Sequence, residues 1–339
     1  MAEHSFTFAI IGIDHRHIYE MTGGMIAAGG RCKGWWSEGD PEPLAGFQKR
    51  FPELERVTHR QSLIEDPEVD LILTAARFDQ RAVIAIEAMR NGKDVMTDKP
   101  GCTTADDLAT LRRTAAETGR IWSVNFSERF QVAAAQQALD LVQQGAIGRV
   151  LQTVGLGPHR MNAPLRPDWF FDKAVYGGIL CDIASHQIDQ FLVFTGSTDA
   201  EIVAATAGNM ANPDYPQFED FGEVLLRSDR GHGYIRVDWF TPDGLPTWGD
   251  GRLTILGTEG YIELRKYVDI AGRPGKDHLF LVNGSSCEHI DCSGVKLRYF
   301  DRLAADLRDR TETAMPQEHA FKVTELALEA QKIARPAAG

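Results

Sequence analysis

Absences narrow the function of this chain before any motif is read. No apolar run approaches the roughly 20 residues that span a bilayer, so no membrane partner is expected. The N-terminus carries Glu3 where a signal peptide carries positive charge, and its apolar run is short, which points to a cytoplasmic location. No basic block stands out: Lys+Arg 36 against Asp+Glu 48 gives a formal charge of −12. A phosphate backbone rewards clustered cations, so no nucleic-acid partner is expected either. Cysteine is scarce. The five thiols (Cys32, Cys102, Cys181, Cys287, Cys292) are odd in number and mostly scattered, as reduced cytoplasmic thiols are, not as a disulfide framework is. Internal repeats, low-complexity tracts and a long linker are all missing.

What remains is an ordinary globular composition, 43% hydrophobic and 25% charged, in a 339-residue chain long enough for two domains. Residues 6–12 form a buried-strand run closed by a turn at 13–17, followed by helical character over 18–28. Further strands are expected at 32–36, 69–74, 94–96 and 121–126, with helices at 44–51, 81–91 and 104–118. Thr104 is the N-cap of the last, with Asp106 and Asp107 in its first turn. Strands alternating with helices mean βαβ units and a doubly wound parallel sheet, an α/β Rossmann domain over residues 1–126. From 127 to 339 the texture changes. Helices at 132–144, 177–194, 303–308 and 318–333 accompany strands at 150–156, 202–206, 219–227, 233–240, 252–256, 261–264 and 278–282. An α+β domain with a large, mostly antiparallel open sheet is expected there.

The first strand–turn–helix is where a dinucleotide's pyrophosphate rests on a helix N-terminus, with the fingerprint G-x-G-x-x-G/A. Here those positions are Gly12, Asp14 and His17, so one glycine is kept. Glu38, 21 residues beyond His17, ends the second strand, where an acid accepts hydrogen bonds from a ribose. No Arg or Lys lies between Ser37 and Phe47 to neutralise a 2′-phosphate, which favours NAD, with NADP less expected. Asp14-His15-x-His17 and Cys287-x-His289-x-x-Cys292 each lack a clear second ligand pair. They are read as polar turn residues and edge-strand thiols, with no metal.

Asp98-Lys99-Pro100 ends a buried strand, and a lysine forced there needs anionic or hydroxyl partners. The run Gly177-Gly178-x-x-x-Asp182-x-x-x-His186-x-x-Asp189 puts a carboxylate and an imidazole four apart, on one face of a helix. Together the two segments supply a lysine, an aspartate and a histidine for proton handling.

These residues resemble the Gfo/Idh/MocA oxidoreductases, the family of glucose–fructose oxidoreductase and inositol 2-dehydrogenase, over nearly the whole length. Residues 91–100 are similar to the family's G-K-x-V-x-x-E-K-P segment, 177–189 to its G-G-x-x-x-D-x-x-x-H-x-x-D and 255–263 to its late-sheet G-T-x-G. The resemblance implies Lys99, Asp182 and His186 as catalytic residues. His186 would take a hydroxyl proton, Asp182 would orient the imidazole or bind the adjacent hydroxyl, and Lys99 would stabilise the alkoxide. The implied cofactor contacts are Gly12, Asp14, His15, His17, Glu38, Ala76, Arg77, Arg81, Asp98 and Lys99. Substrate contacts are expected from Asn125, Arg129, His159, Arg160 and Trp169, besides Asp182 and His186. The chain departs from the family at the glycine turn, at Asp98 for the usual glutamate, and at residues 76–81, which replace a T-P-N-x-x-H turn. The expected activity is an NAD(P)-dependent dehydrogenase of a sugar, cyclitol or related polyol, acting as a homodimer or homotetramer joined through the C-terminal sheet. The alternatives are an NAD-assisted glycoside-cleaving enzyme and a non-catalytic ligand sensor or regulator.

Overall fold

The computed structural model describes residues 6–337. Residues 1–5, which include the acid weighed against a signal peptide, and the last two lie outside the described residues. The first half builds one sheet from β1 (Phe6–Ile11), β2 (Gly30–Trp36), β3 (Leu71–Thr74), β4 (Asp94–Asp98) and β5 (Trp122–Asn125). All its joins are parallel, in the order β2-β1-β3-β4-β5. Every residue of β1, β3, β4 and β5 is buried, the signature of a sheet covered on both faces. The connecting helices are α1 (Ile18–Ala27), α2 (Leu44–Arg50), α3 (Gln61–Ile64), α4 (Phe78–Arg90) and α5 (Ala105–Thr118). The Thr104 hydroxyl caps α5 by accepting from the Asp107 backbone N–H at 3.1 Å.

Strand order reverses between β1 and β3, which opens a crevice beyond their carboxyl ends. Gly12 lies at that point with φ 83°. A Cβ on it would sit 2.3 Å from the Ala76 Cβ, so only glycine lets the turns after β1 and β3 touch. The amide of Ala75 then donates to the Gly12 carbonyl, and that of His15 to the Ala75 carbonyl.

The second half contributes β6 (Val150–Pro158), β7 (Glu201–Gly208), β8 (Phe221–Arg227), β9 (His232–Asp238), β10 (Arg252–Gly257), β11 (Gly260–Arg265), β12 (His278–Asn283), β13 (Cys287–Ile290) and β14 (Arg335–Pro336). Their order is β13-β12-β11-β10-β6-β9-β8-β7-β14, antiparallel except where β6 meets β9 and β14 meets β7. β13 is the sheet's edge, as the edge-strand reading of the Cys287 and Cys292 thiols had it, although its solvent-facing run has no apolar alternation to mark its bounds. Its helices are α6 (Ser127–Phe130), α7 (Ala133–Gln143), α8 (Lys173–Tyr176), α9 (Ile179–Asp182), α10 (Ala184–Thr195), α11 (Tyr299–Asp309) and α12 (Gln317–Ile333). The single helix expected over 177–194 is broken. Gly177 and Gly178 take φ 82° and 95°, α9 is one turn, and Ile183 both ends α9 and starts α10. One apolar core joins the parallel sheet to β7, β8 and β9, a second packs α7 against β10, β11 and β12, and the Trp122 ring stacks on Phe321 of α12 with centroids 5.0 Å apart. Among the described residues no helix is long and apolar enough to cross a membrane.

Asp189, fully buried on α10, ties this packing together. It accepts from Arg129 Nε at 2.7 Å, from the same guanidinium's Nη2 at 2.6 Å, and from His319 Nε2 at 2.7 Å. Arg129, expected above to touch substrate, is therefore a structural partner. Burial raises the Asp189 carboxyl, and Arg129 and His319 more than reverse it, bringing it to about 2. Asp189→Asn leaves the guanidinium buried without its counter-charge, so we expect a loss of about 3–5 kcal/mol in denaturant unfolding. The folded-state value lies below the ordinary aspartate value. The wild-type advantage is therefore complete above about pH 4 and shrinks as pH falls towards 2; an advantage that grows on acidification contradicts the assignment.

Candidate active site

Lys99 follows β4 directly and is 4% exposed. Its ammonium donates to Asp182 Oδ1 at 2.7 Å, so the pair joins the parallel sheet to the second half of the chain. Asp182 reaches that place because Gly177 and Gly178 turn the chain in a left-handed conformation just ahead of α9. A Cβ on Gly178 would lie 2.3 Å from the Gln331 side chain, so the approach also needs the missing methyl. Burial raises the Asp182 carboxyl, but the charge and hydrogen bond of Lys99 outweigh it and hold the group below its usual range. His186 lines the same cavity, 2% exposed, and its Nδ1 has no hydrogen-bond partner. Burial brings its imidazolium down to about 3; Glu128 opposes the shift, while Lys99 and His17 add to it. The ring is thus neutral. Asp182 holds Lys99, not the imidazole, because the break at Ile183 separates residues expected to share one helical face.

Asp98, the last residue of β4, is fully buried and receives four donors. Its Oδ1 accepts from His17 Nδ1 and from the Lys99 amide, each at 2.8 Å. Its Oδ2 accepts from His15 Nδ1 at 2.8 Å and from Arg81 Nη2 at 3.2 Å. Burial raises this carboxyl too, yet His17, Arg81 and His15 hold it well below its usual value. An ionised carboxylate can only accept, so both imidazoles donate to it from Nδ1. Burial, with the charges of His17 and Lys99, brings His15 down to about 3. Their rings meet edge to face at 4.3 Å. His15, His17 and Asp98 have ligand-type atoms within 4.8 Å of one another, although the sequence suggested no metal there. Arg81, expected to face the cofactor, is wholly buried. It donates to the carbonyls of Ala76 at 2.8 Å, Lys99, and Pro100 at 3.2 Å, and so staples the turn after β3 to the cis Lys99–Pro100 bond.

A cavity of about 290 Å³ lies over these groups. Lys99, Asp182, His186, His159 and Arg160 all line it, as do His15 and His17. The His159 ring sits 4.6 Å from Trp248 and 5.3 Å from Trp239, and burial brings its imidazolium to about 4. Besides Arg129, two more of the expected substrate contacts are elsewhere: Asn125 is fully buried and its amide oxygen accepts from Gln131, while Trp169 faces an adjoining recess. Sequence reasoning missed Glu128, whose Oε2 accepts from Lys266 Nζ at 2.5 Å, and Arg166, Trp239 and Trp248. Trp248, 44% exposed between Pro246 and Gly249, was the one with a readable signal, an aromatic residue in a turn.

The adjoining recess, about 230 Å³, is lined by Gly12, Asp14, Trp36, Glu38, Ala76 and Arg77, together with Arg60. It opens at the carboxyl ends of β1, β2 and β3, where the doubly wound rule puts a nucleotide.

Two family profiles match the chain: an oxidoreductase family described as an NAD-binding Rossmann fold, over residues 42–126, and the GFO/IDH/MocA C-terminal domain, over 135–263. Scyllo-inositol 2-dehydrogenase (NADP(+)) of Bacillus subtilis is 23% identical over 84% of this chain and 83% of its own length. Levoglucosan dehydrogenase of Pseudarthrobacter phenanthrenivorans is 30% identical over 48% of this chain, and the match spans 43% of that enzyme, less than half of it. Among solved structures, a presumed oxidoreductase of Erwinia carotovora atroseptica is 47% identical, with TM-score 0.95 over 98% of this chain and all of that one. A levoglucosan dehydrogenase solved with NADH and levoglucosan shares the fold at TM-score 0.77 and 20% identity, over 96% and 95% of the two chains.

The dinucleotide implied by the first profile can be tested against these residues. Its adenosine end suits the recess, where Glu38 lies at the end of β2. The local absence of arginine did not extend to three dimensions: Arg60 and Arg77 line the recess, each paired with an acid, Glu87 at 2.9 Å and Asp79 at 2.7 Å. The middle of the dinucleotide would meet Asp14, which lines both recess and cavity. Burial raises the Asp14 carboxyl, against the pull of Arg81 and Arg77 and the N–H of Arg77. A proton taken up there on binding would remove the clash with a phosphate, so the residues fit the group at a penalty. Asp14→Gly removes the carboxylate and restores the second glycine. In calorimetric titration with NAD it should bind about tenfold more tightly or better; unchanged or weaker binding would place the pyrophosphate elsewhere.

Proposed function

Because the chain belongs to the Gfo/Idh/MocA oxidoreductase family, we propose that it is an NAD-dependent dehydrogenase of a ring-shaped polyol, a sugar or cyclitol. The observation that carries this reading is the Lys99–Asp182 pair facing the neutral His186 across one cavity beside a nucleotide-sized recess. Gly12, Glu38, Ala76 and Arg77 would hold the cofactor, which supplies a hydride acceptor when bound. A substrate hydroxyl sits where the Lys99 ammonium can donate to its oxygen, which stabilises the charge that grows as the proton departs. Asp182 keeps that ammonium charged and pointed. His186 takes the proton on its neutral ring. Glu128 is the nearby anion whose charge favours the imidazolium so formed, against the burial that disfavours it. The aromatic faces of His159, Trp239 and Trp248 give the sugar ring an apolar wall that excludes water.

The same reading includes self-association through the outer face of the nine-stranded sheet. Val203 and Leu225 are exposed on β7 and β8, and Leu256 and Tyr261 on β10 and β11, two apolar groups on either side of β6 and β9 that association would bury. Leu225→Glu should halve or quarter the mass seen by light scattering; a wild-type protein already monomeric at micromolar concentration removes this part of the proposal.

The catalytic assignment is tested by following reduced nicotinamide absorbance with NAD and a panel of sugars and cyclitols. Lys99→Met and His186→Ala should each lower kcat by about 100- to 10,000-fold while circular dichroism stays native. Full activity in both variants rejects the assignment.

A further inference from the structure

Four permanent cations line the 290 Å³ cavity: Arg16, Lys99, Arg160 and Arg166. Three have acidic partners. Arg16 pairs with Glu42, and Lys99 with Asp182 at 2.7 Å. Arg160 faces Asp243 at 3.5 Å, and its Nη2 donates to the carbonyls of Pro242 at 2.9 Å and Leu245 at 2.6 Å. Arg166 differs. Its Nε donates to the Met161 carbonyl at 3.0 Å, and among the described residues no carboxylate lies within salt-bridge distance of it. Its guanidinium carbon sits 4.6 Å from the Phe170 ring and 5.1 Å from the Trp239 ring.

These contacts fix the guanidinium without neutralising it. One nitrogen is tied to the backbone and aromatic rings flank the plane, while the terminal nitrogens make no bond to the protein among the described residues. Burial pulls the guanidinium pKa down, a sign that water solvates it poorly, and the charge of Asp182 only partly offsets this. A half-buried, oriented cation with donors to spare is a receptor for an anion. A planar fork whose terminal nitrogens are free among the described residues matches a planar carboxylate, which it can grip with two parallel hydrogen bonds.

We propose that the substrate of this site is an acid: a ring-shaped polyol bearing a carboxylate, gripped by Arg166 while a ring hydroxyl meets Lys99 and His186. The proposal rests on the dehydrogenase reading for the fate of that hydroxyl, but not for the recognition of the anion. The carboxylate replaces water on the terminal nitrogens of Arg166. The ring lies against the aromatic wall, and neutral sugars leave the guanidinium without a partner.

Two measurements separate this proposal from the reading beneath it. Calorimetry of the protein with D-glucuronate, D-glucose and D-glucose 6-phosphate, with and without NAD, reads recognition alone; NADH formation with the same three reads turnover. The acid should bind at least about 30-fold more tightly than the neutral sugar. Arg166→Leu should abolish that margin while changing glucose binding less than about threefold, and Arg166→Lys should restore only part of it because a point charge cannot make the paired bonds. If the acid binds selectively and no NADH forms under any condition, the anion site stands and the dehydrogenase reading fails. Equal affinity for acid and neutral sugar in wild type overturns the proposal. So does a preference for the phosphate over the carboxylate, or an Arg166→Leu variant that loses acid and neutral sugar alike.

Discussion

A single buried carboxylate organises the crevice. Asp98 has no exposed surface and is ionised, a state that burial alone would forbid. It is tolerable because four donors converge on two oxygens: two imidazoles from the turn after β1, a guanidinium from α4, and the amide of Lys99. The donors come from three separate pieces of backbone, so satisfying the charge also fixes where those pieces stand. The turn holding His15 and His17, the start of α4 and the end of β4 cannot shift separately without leaving the anion short of a partner. The direction in which Lys99 leaves its strand is set by this same constraint, because its own amide is one of the four.

The Lys99–Asp182 pair is a different kind of interaction. Two charges taken from water regain about what they lose only with good geometry, and a pair of apolar side chains would stabilise the fold as well or better. Its position explains its presence more readily than any stability does. It is the polar contact between the end of the parallel sheet and α9, it faces the cavity, and its ammonium has donors beyond the one Asp182 takes. A hydroxyl oxygen entering the cavity offers Lys99 a further acceptor without breaking the pair. Asp182 then keeps the lysine charged and aimed as the oxygen gains charge.

The parallel sheet was legible in the sequence because β1, β3, β4 and β5 are buried on both faces and so are written as unbroken apolar runs. β13 was legible only as an edge strand without bounds, since its exposed residues carry no alternation to read. The chemistry of the site was legible in its residue types and less so in its pairings. Asp182 and His186 stand at helical spacing, but two left-handed glycines and the break at Ile183 send one to Lys99 and leave the other free. Arg81 and Arg129 sit early in the helices that follow β3 and β5, close to the carboxyl end of the sheet, yet both are absorbed by buried aspartates that no local window contains, Asp98 and Asp189. The nucleotide recess holds Arg77, which was expected beside the cofactor, and Arg60, which was not, because it enters from a segment outside Ser37 to Phe47. Arg166 escaped notice because its significance lies in a partner it lacks, a property that only coordinates express.

Three departures from the family pattern looked independent along the chain: the turn at residues 12–17, the turn at 76–81, and an aspartate in place of the glutamate before Lys99. In space they are one change. His15 and His17 come from the first turn and Arg81 from the segment after the second, and all three end on Asp98, the third departure. The shorter acid leaves a methylene's worth of room in a fully buried place, and imidazoles now crowd against it. None of the three substitutions is satisfactory alone. Histidines without the carboxylate would bury unmatched N–H groups, and the carboxylate without Arg81 would lose one of its counter-charges. The dinucleotide turn has therefore not simply decayed, since decay would leave unpaired polar atoms where this structure has a saturated cluster. The residues that lost the glycine fingerprint gained a common anchor, and that anchor is the strand end from which Lys99 departs.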